Sequence, residues 1–472
     1  MKGVAIHPLD LIIIVFFLAA FVGYGLWQGR QNRTAEDYFL GNRTLPWVVA
    51  MFSIVATETS VLTFVSVPGL AYRQDWFFLQ LALGYIAGRI LVSLFLLPQY
   101  FATGVTSIYE VLGLRFGSGI QKIASAVFLV TRVLADGVRF LATAVVVQAI
   151  TGWPLALAVL VIGGVTLAYT LLGGIRTVVW VDSIQFVIYL LGAALSIYIL
   201  LDYLDSPLPQ IWGELAQAGK LRLFHWHGDF FSDPWLALTA IFGGVLLSFA
   251  AHGTDHMLVQ RALVCRDLSA ARKAMIGSGL FAFFQFALFL AVGSLIFLFF
   301  KGRELPKDRE FTCFIVDHLP VGVKGFLLAG VLSAAMSTLS SSINALASST
   351  LMDWFKKGAT LGRSRAISLF WAIVLMAMAL VFDESDHAVV ELGLQIASFT
   401  YGGLLGLFLL SRSKRTFHAP SLIFGLVSSL LLVLYMKHLG MAWTWFIGAG
   451  AAANWILSHL METALRFKND AG

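Results

Sequence analysis

Ser53 to Gly69 reads SIVATETSVLTFVSVPG, and Ser248 to His256 reads SFAAHGTDH. Each stretch breaks an apolar segment that is otherwise long enough to span a bilayer. Ser53, Thr57, Glu58, Thr59, Ser60 and Thr63 interrupt the first, with Pro68 and Gly69 behind them. Five spans later, Ser248, His252, Gly253, Thr254, Asp255 and His256 interrupt the second. Non-helical backbone at membrane depth is tolerated only where protein covers it or a cavity needs it. Polar, Gly-containing breaks at matching places in two halves therefore point to an inverted-repeat transporter with its site at the midplane. Unwound backbone there offers carbonyls to cations and helix N-termini to anions. Two unrelated kinks would look the same locally, so the rest of the chain has to decide.

Composition sets the broad class. Of 472 residues, 59% are hydrophobic and only 12% charged, against about 25% charged in soluble domains. Apolar stretches of about twenty residues, enough to cross a bilayer, recur along the whole chain. They predict about thirteen spans, near 9–27, 46–70, 76–100, 120–150, 153–172, 178–203, 236–258, 274–300, 322–354, 366–382, 388–411, 416–436 and 441–463. The expected fold is an all-α polytopic membrane protein. An extra helix and loop occupy 1–45, a first repeat of five core helices 46–203, and an outside loop 204–235. The second repeat of five fills 236–411, and extra helices fill 412–472. This is a 5+5 core whose first and sixth helices are broken.

The first segment reads as a retained helix: only Lys2 precedes it, and Gly29, Arg30 and Arg33 follow in place of a cleavage site. With the N-terminus outside, the inside loops collect Arg115, Lys122, Arg176, Arg266, Arg272, Lys273, Lys356, Lys357, Arg363 and Arg412. That bias follows the positive-inside rule and places the C-terminus in the cytoplasm of a cell inner (plasma) membrane. The net charge of +6 is then orientation signal, and no soluble basic face remains for nucleic acid. Cys265 and Cys313 are the only cysteines; this topology puts them on opposite sides, so no disulfide is expected.

A stripe of hydroxyls marks the eighth core helix. Ser333, Ser337 and Ser341 share one helical face at i, i+4 and i+8, with Thr338, Ser340 and Ser342 around them. Small hydroxyl residues can simply pack helices closely, yet a row of oxygens also suits a hard cation. Glu58, Asp136, Arg139 and Asp182 lie inside predicted spans, each costing at least about 2.5–3.5 kcal/mol on insertion scales. Asp136 and Arg139 are placed to neutralise one another. Asp182 has no helically adjacent base, which favours a cation as its partner.

Several ordered motifs resemble the sodium/solute symporter family, whose members carry sugars, proline, iodide and sialic acid. They are Ala35–Gly41 (AEDYFLG), Thr106–Gly117 (TSIYEVLGLRFG), Thr131–Asp136 (TRVLAD), Gly173–Gln185 (GGIRTVVWVDSIQ), Gly253–Arg261 (GTDHMLVQR), Ser333–Ser341 (SAAMSTLSS) and Thr400–Leu410 (TYGGLLGLFLL). The resemblance runs from about residue 34 to 412 and implies a leucine-transporter-type inverted-repeat fold with sodium as co-transported ion. It also implies a first sodium site at the carbonyls of Ala56, Thr59 and Ala334 with the hydroxyls of Ser337 and Thr338. A second site maps to Asp182, Ser340 and Ser341.

The solute side departs from the sugar-carrying branch. His252 stands where an aromatic residue contacts sugar, Ala82 where that branch is polar, and Glu58 where a small polar residue is common. Arg139 suits a carboxylate. The expected solute is small and polar, a sugar, organic acid or amino acid with the acidic or zwitterionic forms favoured. Glu58, Ser60, Thr63, Gln80, Arg139, Ser248 and His252 are expected to hold it. The functional unit is read as a monomer. A proton-coupled symporter of the same fold is the nearest alternative. An intramembrane metalloprotease at His252 and His256 is the enzyme rival, but it lacks the usual glutamate base. His225 and His227 read as solvated loop residues. The sequence has neither a Gly-rich phosphate loop nor a repeated filter ring, so the reading is a carrier and not an enzyme.

Overall fold

The computed structural model describes residues 7–381 and 389–470. Residues 1–6, 382–388 and 471–472, at the edges of expected segments, lie outside the described residues. Secondary structure among the described residues is helical, apart from one bridge between Leu45 and Cys265. Among the described residues, eight helices are long and apolar enough to cross a membrane, or nine when the bent pair at the first break is taken as one span. The molecule is an all-helical, multi-pass membrane protein. Leu155–Leu204 counts once in that number, although its 50 residues would run about 75 Å as one straight helix, over twice the thickness of a hydrocarbon core. Gly174 divides it with φ 62° and ψ −163°. A Cβ there would press on Tyr38 of the AEDYFLG motif, so both conformation and packing call for glycine.

Both predicted breaks are present. Trp47–Glu58 stops where Thr59 (φ −83°, ψ 110°) and Ser60 (φ −100°, ψ 175°) turn extended, and Val61–Arg73 follows. The axis bends there by 64°. In the second half Ala237–Thr254 and His256–Leu263 meet at one extended residue, Asp255 (φ −94°, ψ 116°). Its carboxylate accepts from Met257 N at 2.9 Å and so caps the helix that follows. Two tyrosine hydroxyls take up carbonyls near this break: Tyr100 donates to Gly253 O, and Tyr109 to Thr254 O at 3.0 Å.

Val323–Trp354 runs through the middle of the bundle. In its most apolar stretch 94% of residues are buried, against 22% in Pro8–Gly29 and 28% in Leu361–Val381. The hydroxyl stripe is thus interior, and the outer helices turn their apolar side chains toward lipid. Asp10, on the first helix, is buried and accepts from Gly322 N at 2.7 Å and Gly325 N at 2.8 Å. It ties that helix to the start of the central one.

Phe78–Leu91 lies against Ala237–Thr254 at backbone contact, because a Cβ on Gly84 or Gly88 would collide with backbone between Ile241 and Phe249. This approach carries Tyr85 and Arg89 onto the second break. Ser248 Oγ donates to Tyr85 O at 3.0 Å across the seam. Cys265 and Cys313 are free thiols.

Candidate functional site

Between the two breaks is a cavity lined by Glu58, Tyr85, Arg139, Ser248, His252 and Tyr401, with Thr57, Arg132, Met257 and Ala397 also on its wall. About 50 Å³ of it is open to the centre of a water-sized sphere, on the order of four times what one water needs. Glu58 reaches its wall through the carboxylate, which is ion-paired with fully buried Arg89. Arg89 Nη1 also donates to Ser278 Oγ at 2.6 Å. Arg139 lines the same cavity, and its Nη1 is 3.5 Å from Asp136 Oδ1.

Under the cavity lies a buried ring of charge. Arg132 Nη1 is 3.2 Å from Asp136 Oδ1, and its Nη2 is 2.9 Å from Asp255 Oδ2 and 2.6 Å from the Tyr401 hydroxyl. Tyr401 in turn donates to Asp255, and Ser342 donates to Asp136. Burying such charges costs several kcal/mol per ion unless geometry and hydrogen bonds are complete. Here one guanidinium fork serves two carboxylates and a phenol. Helix Ser118–Thr151, the second break, the central helix and Val389–Ser411 are thereby joined at one point.

Beside this ring is a second, much smaller cavity lined by Ala56, Thr59, Gln185, Phe186, Tyr189, Ala334 and Ser337. About 10 Å³ is open to water-sized centres, roughly the room for one water and so for one bare ion. Among the described residues the Ser337 hydroxyl has no hydrogen-bond partner, nor do either of the Gln185 amide atoms. Thr338 Oγ1 donates to Ala334 O at 3.3 Å. A further polar cluster surrounds Asp182. Its Oδ2 accepts from Ser53 at 2.9 Å, Ser341 at 3.3 Å and Thr57 at 3.4 Å, while the buried Oδ1 has no partner among the described residues. Hard cations prefer such all-oxygen surroundings.

The profile of the Sodium:solute symporter family matches residues 38–412. The chain belongs to that family. The symporter is 26% identical to the sodium/sialic acid symporter NanT of Aliivibrio fischeri over 459 residues, covering 93% of this chain and 89% of NanT. It is 27% identical to the human sodium/iodide cotransporter over 450 residues, 90% of this chain and 69% of the relative. Its fold matches the substrate-bound outward-open structure of a Na+-coupled sialic acid symporter with a TM-score of 0.88 at 23% identity, covering 97% of this chain and 98% of that one. Family membership makes the protein a sodium-coupled solute symporter, with sodium as co-transported substrate.

Measured against the sequence expectations, the symporter brings most of the named residues together. Glu58, Arg139, Ser248 and His252 share the larger cavity; Ala56, Thr59, Ala334 and Ser337 share the smaller. Thr338 is adjacent through its bond to Ala334. Ser60 and Thr63 are buried at and beyond the first break and do not line either cavity. Gln80 lines neither cavity: its amide nitrogen donates to Phe77 O and Trp235 O, both at 3.0 Å, and its oxygen accepts from His225 N at 3.0 Å, which fastens the 204–235 loop.

Other named residues have partners that the sequence did not show. Asp182 is not without a base: Arg261 Nη2 of the second break is 4.0 Å from its Oδ2. Ser340 donates to Ser337 O at 3.0 Å instead of reaching Asp182, whereas Ser53 and Thr57 join Asp182 and Ser341. His225 is no free loop residue, since its Nε2 is 2.8 Å from Asp75. His252 and His256 do not converge on a metal: the first faces Glu58 and the second bonds Ser348 at 3.1 Å. Sequence reading also missed Tyr85 and Tyr401; only the latter carried a signal, within the TYGGLLGLFLL motif.

Proposed function

We propose that the symporter imports a small carboxylate-bearing solute with sodium, the carboxylate being held by Arg139. The observation that carries this reading is Arg139 itself. It lines the cavity between the breaks with a partly exposed side chain, and its ion-pair partner Asp136 is already engaged at 3.2 Å by Arg132. A planar fork with donors to spare is suited to carboxylate. Relatives named for sialic acid and iodide carry anions, which is consistent with this choice.

Charge balance supports the same reading. Around the two cavities Arg89, Arg132, Arg139 and Arg261 face Glu58, Asp136, Asp182 and Asp255, so the buried set is neutral. A sodium ion adds one uncompensated charge in a low-dielectric interior, which is costly; an anionic group restores neutrality. Ion and solute then stabilise one another, and by linkage each raises the other's affinity by the same factor.

The mechanism is alternating access. Sodium binds between Ala56, Thr59, Ala334, Ser337 and Thr338 and fixes the first break; Asp182 with Ser341, Ser53 and Thr57 offers a second cation position. The solute cavity beside them is thereby completed, and rocking of the core opens it inward. The core is read as residues 46–203 and 236–411 in inverted repeat within about thirteen helices, with the N-terminus outside and a monomer as the working unit.

Arg139→Ala should lower the affinity for carboxylate solutes by about 10- to 100-fold, the range for a hydrogen bond to a charged group, with Arg139→Lys intermediate. Uptake into proteoliposomes under a sodium gradient checks this. Carboxylate uptake unaffected in Arg139→Ala would refute the assignment.

A further inference from the structure

We infer that the transported solute carries, besides its carboxylate, a hydrogen-bond-donating group, hydroxyl or ammonium, received jointly by Glu58 and His252. This rests on the carboxylate reading above and narrows it. The argument begins with the proton on His252. Its Nδ1 lies 3.3 Å from the Ser248 carbonyl and 3.4 Å from Ser248 Oγ. A carbonyl only accepts, and Ser248 Oγ spends its hydrogen on Tyr85 O at 3.0 Å, so it too can only accept here. Nδ1 therefore carries a proton, and in its neutral form the ring presents a lone pair at Nε2.

That Nε2 is buried, has no hydrogen-bond partner among the described residues, and points at Glu58 Oε2 across 3.7 Å. The gap is longer than an ordinary hydrogen bond, and with the ring neutral neither atom has a proton to offer the other. Glu58 already has Arg89 as counter-ion on the same oxygen, while its side chain stays 17% exposed to the cavity. Two acceptors thus sit side by side in the wall of a cavity that is also lined by Arg132, which is engaged with Asp136, Asp255 and Tyr401, and by Arg139. A buried acceptor left unpaired costs free energy that a matching donor recovers. A solute with a carboxylate and a donor satisfies both walls; a plain aliphatic acid leaves the His252 Nε2 acceptor unmatched.

The test uses purified full-length protein in saturating sodium, with calorimetric binding of size-matched acids: propionate, lactate and alanine, then the four- and five-carbon sets. The donor-bearing acids should bind about 10- to 100-fold more tightly than their donor-free partners. The lactate and alanine arms distinguish hydroxyl from ammonium. His252→Phe keeps the Glu58–Arg89 pair and most of the ring volume, and should reduce the preference to within about threefold, the loss of one acceptor. Stabilisation by sodium reports whether that variant folds; if it does not, Glu58→Gln serves instead. Equal binding of donor-free and donor-bearing acids, still dependent on Arg139, overturns this inference alone. Binding of no acid, or binding indifferent to Arg139→Ala, overturns the carboxylate reading beneath it.

Discussion

Arg132→Met should destabilise the sodium-free protein by about 3–5 kcal/mol, the cost of stranding a buried charge by removing its partner. Arg132 is 2% exposed and holds Asp136, Asp255 and the Tyr401 hydroxyl at once. Without it two carboxylates remain in the interior, with Arg139 at 3.5 Å as the nearest remaining cation for Asp136. The loss falls on the second break, because Asp255 is both its extended residue and the cap of the helix after it. Unfolding temperature and monodispersity in detergent measure the effect. Adding Asp255→Asn to Arg132→Met should recover part of the loss, since it removes one of the stranded charges. A variant as stable as the parent would show that the ring is not what holds the break.

Ser337→Ala with Thr338→Ala should abolish stabilisation by sodium at concentrations that saturate the parent. Each lost oxygen ligand weakens the site by about 10- to 100-fold on the scale of interactions with charged groups. The sign of the ion-free effect is diagnostic. Ser337 Oγ is a buried hydroxyl near Asp182 that makes no hydrogen bond of ordinary geometry among the described residues, so replacing it with Ala removes a poorly satisfied group. The Ser337→Ala protein should accordingly be as stable as the parent, or more so, in choline, and less stable than the parent in sodium. Thermal-shift titration in sodium, potassium and choline separates the two, because a ligand that binds only the folded state raises stability with its concentration. Loss of stability in choline as well would mean a packing role, and an unchanged sodium response would mean that the ion binds elsewhere.

What the sequence revealed follows from how each feature is encoded. The breaks at Thr59 and Asp255 and the hydroxyl face of Ser333, Ser337 and Ser341 are local patterns, visible because polar residues stand out in apolar helices. Asp182 was visible for the same reason, yet its neighbour Arg261 was not, because 79 residues separate them and no periodicity links the two helices. The Glu58–Arg89 and Arg132–Asp255 pairs were hidden likewise. Gln80, a glutamine half a turn from the expected position, has the right chemistry for solute, and only the path of the 204–235 loop shows that its amide is tied to that loop. Gly84 and Gly88 form a four-residue small-residue spacing that was legible in principle; which helix they would meet was not.

The central claim is that sodium and solute meet in one coupled site between the breaks. It is tested most directly by measuring carboxylate affinity calorimetrically across a range of sodium concentrations, in the parent and in the Ser337→Ala/Thr338→Ala double variant. The account predicts that affinity rises with sodium until the ion site saturates, that sodium affinity rises by the same factor in the presence of solute, and that both dependences vanish in the double variant. Solute affinity that is indifferent to sodium, or a sodium dependence that survives the double substitution, would contradict it.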